Sequence, residues 1–316
     1  MRAVVFSEFG PPGVVRVAEV DAPHAGPGEV RVAVRASGLS TGEVLIRSGR
    51  LGDVVPVVFP WRTGFDAAGV VDEVGAGVAG VAAGDEVFGM ASPAARGTNA
   101  EYAVLSAWAP RPAAWSWAEA GGAAGSVETG TRVLDRLGVG AGHTVLVHGA
   151  AGAVGSVAVQ LAAARGAAVI GTASEHHHDF LRAFGTVPTT YGQGLPDRVR
   201  ELAPRGVDAV FDCAGGALPD LIAIAGDAAR VVTIADFEAA SYGVHLSHGA
   251  PSGETGEAVG SGADPLAVHG LGLAVRLAGS GRLRIPVAAT FALAEVAAAH
   301  ELSETRHACG RIVLLT

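Results

Sequence analysis

The sequence predicts an α/β protein in which a small, tightly turned antiparallel barrel or sandwich precedes a parallel sheet covered by helices on both faces. Three observations predict it. In EVRVAVRASG, from Glu29, apolar and polar residues alternate, with Val30, Val32 and Val34 on one face, as in a half-buried strand. In GVVDEVGAGVAGVAAGDEVFG, from Gly69, glycines punctuate valine-rich pieces, the pattern of short strands joined by tight turns. From about Ser126, continuous apolar runs (TVLVHG, AAVIGTA, VDAVFDCAG, RVVTIAD) alternate with helix-like segments (VGSVAVQLAAARG, HDFLRAFG, DRVRELAPRG), as strands buried on both faces require.

TGTRVLDRLGV is amphipathic at helical spacing and opens the second part. The segment Gly249–Asp264, GAPSGETGEAVGSGAD, is rich in Gly, Ser and acid and reads as a flexible surface loop. A helix in PLAVHGLGLAVRLAGSG follows, and the chain closes on RIPVAATFALAEVAAAHELSETRHACGRIVLLT, whose last residues form an apolar, strand-like tail. No internal repeat is visible.

With 316 residues, 49% apolar and 17% charged, the chain has room for two globular domains and is not of disordered composition. A formal charge of −9 opposes binding to nucleic acid or to an anionic membrane and favours a small-molecule partner. Cys213 and Cys309 are the only cysteines, too few for a disulfide scaffold or a multi-cysteine zinc site, which points to a reducing compartment. The start MRAVVFSEFG shows no long apolar segment after a basic stretch, and no run approaches 18 apolar residues, so a cytoplasmic protein is expected. All 22 basic side chains besides histidine are arginine, which removes Schiff-base lysine chemistry.

The most informative stretch is VLVHGAAGAVGSVAVQLA, residues 145 to 162. An apolar strand runs into Gly149, Ala150, Ala151, Gly152, Ala153, Val154 and Gly155 and then into an alanine-rich helix. Small residues let the backbone approach a diphosphate, and free amides at the helix start supply donors and partial positive charge. The alternative is that the glycines serve close packing only, and the surrounding αβ units favour the dinucleotide. NAD-selecting chains commonly carry an acid at the end of the second strand. Here that strand ends Gly171-Thr172-Ala173-Ser174, so Ala173 occupies the acid position and Ser174 is available to a 2′-phosphate, favouring NADP; Glu175, turned inward, would favour NAD.

MRAVVF, PGEVRVAVRASGLS, LIRSG, GFDAAGVVDEVG, GDEVFG, the glycine turn, GVDAVFDCAGG and the closing ALAEVAAAHELSETRHACGRIVL occur in an order that resembles the medium-chain dehydrogenase/reductase superfamily, in its zinc-independent quinone oxidoreductase-like branch. The resemblance implies a GroES-like β-barrel catalytic domain (residues 1–122 and 285–316), an inserted Rossmann doubly wound NADP-binding domain (123–284), an active site in the cleft where they meet, and a homodimer. It also implies that Tyr191, in TTYGQG, contacts the 2′-phosphate, and that Thr172, Ser174 and Ala214 accompany the glycine turn in holding NADPH. Zinc-dependent relatives place cysteine at the position of Ser40 and a His-Glu pair at that of Phe65-Asp66, so no metal is expected. Relatives also commonly have a basic residue after Ser174, where this chain has Glu175-His176-His177-His178, a run read as solvated surface with partly protonated histidine available to a phosphate.

Hydride transfer without a metal requires an acceptor activated by conjugation, such as a quinone, enone or enal, and a donor for the oxygen on which charge builds. The candidate catalytic residues are Ser40 and Thr41, in the loop matching the family's nicotinamide-side motif, and Glu128 and Thr129 in GSVETGT. Glu128 is read as a possible acid or as a helix cap, and Asp66 as structural. Trp61 and Phe65 are read either as lining of an apolar pocket or as core. An NADPH-dependent quinone or enone reductase is the expected function. The alternatives are an NADPH-binding protein without turnover and a tailoring-pathway reductase of a polyketide-like substrate.

Overall fold

The computed structural model describes residues 1–51, 55–250 and 263–316. In chain order the first elements are β1 Arg2–Phe6, β2 Arg16–Glu19, β3 Val30–Leu39, α1 Thr41–Arg47, β4 Trp61–Arg62, β5 Asp66–Val74, β6 Glu86–Ala91, β7 Tyr102–Pro110 and α2 Trp117–Gly121. Helix α3 Ala124–Arg136 leads into β8 Thr144–His148, α4 Gly155–Ala164, β9 Ala168–Thr172, α5 His178–Arg182, β10 Val187–Thr189, α6 Leu195–Leu202, β11 Ala209–Asp212, α7 Leu218–Ala225, β12 Val231–Thr233 and β13 His245–Leu246. The chain ends with β14 Gly249–Ala250, β15 Asp264–Pro265, α8 His269–Gly279, β16 Val287–Ala292, α9 Val296–Glu304 and β17 Arg311–Leu315. Contacts divide the chain into Met1–Gly125 with Leu271–Thr316, and Ser126–Gly270. The cut after Gly125 lies close to the expected boundary at 122, whereas the cut after Gly270 falls within α8 rather than after it.

In the first unit, β16-β17-β3-β5-β6-β7 form one sheet, and a further pairing of β3 with β7 closes it into a barrel. Alternating residues of β3 explain the closure: Val30, Val32 and Val34 point inward and pack with Ala67, Val71, Val87, Ala103 and Leu105. Gly69 is required here, since a Cβ on it would stand 2.3 Å from the carbonyl oxygen of Ala33 on the facing strand. A second core, around Val4, Phe6, Trp61, Leu293, Val296 and Leu314, lies under the three-stranded sheet β2-β1-β4 and helix α9.

In the second unit, six parallel strands are ordered β10-β9-β8-β11-β12-β13. Numbered from β8, this is the third-second-first-fourth-fifth-sixth order of the doubly wound dinucleotide fold, whose direction reverses between β8 and β11. The central strands are apolar throughout because both faces are covered: Leu146 and Val210 are fully buried and pack with Leu195, Leu218 and Leu221. The sequence reading found β8, β9, β11 and β12 but not the edges β10 and β13, which have only three and two residues.

The expected loop Gly249–Asp264 requires a correction at its ends. Gly249 pairs with Asp264 and Ala250 with Pro265 in a short parallel ladder, so these positions are ordered structure. The reading of residues 251–262 lies outside the described residues. Among the described residues, no helix is long and apolar enough to cross a membrane.

Candidate active site

The glycine turn sits at the reversal point of the second unit's sheet. Strand β8 ends at His148, and Gly149, in left-handed conformation (φ 77°), turns the chain so that its amide donates to Thr172 Oγ1 at 2.9 Å. A Cβ on Gly149 would lie 2.9 Å from Ala214 Cβ, which places Ala214, beyond the carboxyl end of β11, against the turn. Gly155 opens α4 so close to the turn that a Cβ there would fall 2.3 Å from the Gly149 carbonyl oxygen. Gly152 differs: among the described residues a Cβ on it would meet only that oxygen, at 3.4 Å, so packing against them does not demand glycine. The Val154 and Gly155 amides make no hydrogen bond with any described residue and lie at the positive end of α4. Room at Gly152 and two amides unspent among the described residues fit a diphosphate.

Thr172, expected to accompany the turn, braces it: its hydroxyl bonds the Gly149 amide and His148 Nδ1 (2.8 Å), and its carbonyl accepts the Ala150 amide. Burial lowers the His148 pKa, opposed by the charges of Asp212 and Asp220. Ala151 is buried, Ala153 lies in the turn, and the Ala214 amide is held by Asp212 Oδ1 at 3.0 Å.

Ser174 and Tyr191 come together beyond the ends of β9 and β10. Ser174 Oγ and Tyr191 Oη are 3.1 Å apart, and Tyr191 is 55% exposed, so two hydroxyls face solvent side by side. Glu175 is exposed and begins a short 3₁₀ turn. The histidine run is only partly solvated: His176 is exposed, but His177 and His178 are half-buried, and burial together with His176 lowers the His177 pKa. Among the described residues no group of three or more His, Cys, Asp and Glu is placed to hold a metal.

Of the predicted catalytic residues, Ser40 and Thr41 lie in the first unit and Glu128 and Thr129 in the second. Ser40 caps α1. Its Oγ accepts from the Glu43 amide at 3.2 Å while Glu43 Oε1 accepts the Ser40 amide at 3.0 Å, a reciprocal capping box. Its own O–H remains available to donate. Thr41 is the exposed first residue of the helix. Glu128 caps no helix, since α3 already begins at Ala124. Its carboxylate is ion-paired with Arg132 (2.8 Å) and accepts the Ala267 amide at 3.1 Å, and Thr129 Oγ1 stands 3.2 Å from Glu128 Oε2 and 3.3 Å from Arg132 Nη2. These two residues therefore belong to a buried ionic network that also includes Ser247 and Asp264.

Sequence reasoning missed Glu43 and Asn99. Asn99 Nδ2 donates to Glu43 Oε2 and to Thr63 Oγ1, both at 2.8 Å, and Asn99 Oδ1 accepts from Ser37 Oγ at 2.7 Å. Burial lifts the Glu43 carboxyl to about 7 against the hydrogen bond from Ser40, with the Asp66 charge adding to the rise. Asp66 is structural as expected: it accepts from Arg311 Nη2 at 2.9 Å and from the Gly125 amide at 2.8 Å. Trp61 is core, with the Arg96 guanidinium over its ring, while Phe65 is 40% exposed.

Two family models match: the alcohol dehydrogenase GroES-like domain over residues 26–114 and the zinc-binding dehydrogenase over 189–314. A probable quinone oxidoreductase of Leishmania amazonensis is 35% identical over 245 residues, 75% of this chain and 70% of that protein. The chain belongs to the medium-chain dehydrogenase/reductase superfamily, in its quinone oxidoreductase-like branch. Solved members of this superfamily cover the whole chain: an NAD-dependent alcohol dehydrogenase (30% identity, TM-score 0.82, all of that chain) and mycobacterial Rv1454c complexed with NADPH (26%, TM-score 0.77, all of that chain). The spectinabilin polyketide synthase system protein NorB of Streptomyces orinoci is 39% identical over 212 residues, which is 64% of this chain and 9% of NorB. The chain spans about half the length, or less, of the first curated relatives it matches. The zinc suggested by one family description does not fit the donors present: Ser40 is committed to a helix cap, Phe65 carries no donor atom, and Asp66 is ion-paired with Arg311.

Proposed function

We propose that the chain is an oxidoreductase that uses NADPH to reduce a quinone or an α,β-unsaturated carbonyl compound without a metal. The observation that carries this reading is the glycine turn at the sheet reversal, with the Val154 and Gly155 amides unspent among the described residues. Those amides and Gly152 would hold the diphosphate, and the hydroxyls of Ser174 and Tyr191 would receive the adenosine 2′-phosphate. When bound, the dinucleotide supplies a hydride from the nicotinamide ring.

The protein's own residues then bind, orient and protonate. A conjugated acceptor reduced at the carbon β to its carbonyl would build negative charge on the carbonyl oxygen, which would require a hydrogen-bond donor and finally a proton from the protein or solvent. The Ser40 O–H and Thr41 are the donors left unspent within the first unit's candidate residues, and solvent can deliver the proton. Thr129 is weaker, because Glu128 and Arg132 already engage its hydroxyl.

The test is to mix the purified protein with NADPH and a panel of simple quinones, enones and enals, following loss of the reduced-nicotinamide absorbance. Oxidation dependent on one of these acceptors is expected. Tight NADPH binding with no turnover across the panel would overturn the catalytic part. The NorB relationship favours a second reading, a tailoring reductase acting on a polyketide-like enoyl chain, and rapid turnover of enoyl thioesters with none of free quinones would select it.

A further inference from the structure

We propose that Arg198 is the positioning residue that makes the Ser174–Tyr191 corner selective for a 2′-phosphorylated nucleotide; the assignment rests on the NADPH reading above. Arg198 lies on α6, and its guanidinium gathers the carbonyls of four consecutive loop residues. Nη1 donates to Gln193 O at 2.8 Å, and Nη2 donates to Thr190 O at 2.9 Å, with Tyr191 O and Gly192 O each at 3.4 Å. The loop so held is the one that presents Tyr191 to Ser174.

Two further features turn a loop clamp into a specificity device. No carboxylate among the described residues lies within ion-pair distance of this guanidinium; the neighbouring acid, Asp197, is paired with Arg200 at 2.6 Å. Among the described residues the Arg198 guanidinium is thus held by backbone carbonyls and by no carboxylate, and its Nε is buried without a partner among them. The position after Ser174 holds the exposed acid Glu175, so no positive charge arises there. A phosphate carrying close to two negative charges gains from a guanidinium on the adjoining helix that no described carboxylate neutralises, whereas a ribose hydroxyl gains almost nothing.

The clamp works through Tyr191. An exposed tyrosine on a glycine-bordered loop (Gly192 and Gly194 both at positive φ) loses rotational and backbone freedom when it holds a ligand oxygen. Four carbonyls fixed on one planar cation meet that cost before the ligand arrives. Lysine would retain the charge but not the fork that spans several acceptors.

The experiment is a fluorescence titration of wild type, Arg198→Gln, Arg198→Lys and Arg200→Gln with NADPH and with NADH, with melting temperatures as a check on folding. For Arg198→Gln the Kd for NADPH rises about tenfold or more while that for NADH changes by less than about threefold. Arg198→Lys falls between, and Arg200→Gln matches wild type. A loop with a merely structural role would weaken both nucleotides by the same factor, and that result, or unchanged NADPH affinity, would overturn the assignment while leaving the NADPH reading intact. If Arg198→Gln does not fold, the Lys variant decides by the same ratio. Equal wild-type affinity for the two nucleotides would overturn the 2′-phosphate reading and this assignment together.

Discussion

Glu43 Oε2 accepts a hydrogen bond from Asn99 Nδ2 at 2.8 Å within the first unit's interior, behind the cap that Ser40 places on α1. The pair joins the candidate donor loop to the barrel, and it makes stability depend on pH. Burial raises the folded-state carboxyl from its ordinary 4.5 to about 7. A folded value above the unfolded one means that the protonated form stabilises the fold: the contribution is complete below 4.5 and is lost as pH rises to 7. A shift of that size corresponds to roughly 3 kcal/mol. Urea unfolding of wild type and Glu43→Gln in pH steps is expected to show wild type losing ground to the variant by about this amount across that window, and a pH-independent difference would refute it.

His300 provides the opposite limb. It is fully buried, and burial together with the Arg47 charge lowers its pKa to about 4. The neutral ring's contribution is present above 6.5 and is lost as pH falls towards 4. His300→Leu is expected to lose less stability than wild type between those limits, measured by thermal melts at matched ionic strength. The total wild-type curve contains both limbs, so only differences against each variant separate them.

The buried pair Glu128–Arg132 predicts a non-additive cycle. Both side chains are at most 6% exposed, so Glu128→Leu alone leaves the guanidinium with only the more distant Asp264 carboxylate, at 3.9 Å, at a cost of about 3 kcal/mol. The double variant Glu128→Leu/Arg132→Met should recover much of that loss. Equal, additive losses in denaturant unfolding would show that the two residues are not energetically coupled.

The turn glycines should separate folding from binding. Gly155→Ala places a methyl 2.3 Å from the Gly149 carbonyl oxygen and is expected to lower stability by about 2 kcal/mol or more. Gly152→Ala meets no such clash among the described residues and should melt close to wild type. If a diphosphate approaches this turn, Gly152→Ala nevertheless weakens dinucleotide binding about tenfold or more, and wild-type affinity in that variant would argue against the site.

The turn was legible in the sequence because its demands fall on residues close together: a buried strand, three glycines and a helix within 18 positions. The doubly wound sheet was legible for the same reason, apart from β10 and β13, whose three and two residues are too short to show a period. The Glu43–Asn99 bond was not legible. Its partners are 56 residues apart, and only barrel closure brings them together. Likewise Glu128 looked like an odd acid among small residues, although its i+4 neighbour Arg132 was a signal available at the outset. Ser40 was identified as a candidate donor, but the Glu three positions on already announced a capping box.

Strand β3 pairs along its second half, Ala36–Leu39, with β17, whose residues Ile312–Leu315 lie more than 270 positions later. During synthesis, this half of β3 therefore waits for its β17 partner until Ser126–Gly270, with the six strands of its parallel sheet, has emerged. Strand order alone thus makes the first unit the later of the two to be completed, and a chain cut between Gly270 and β16 would lack two strands of the first unit's sheet while keeping every strand of the parallel sheet inserted within it.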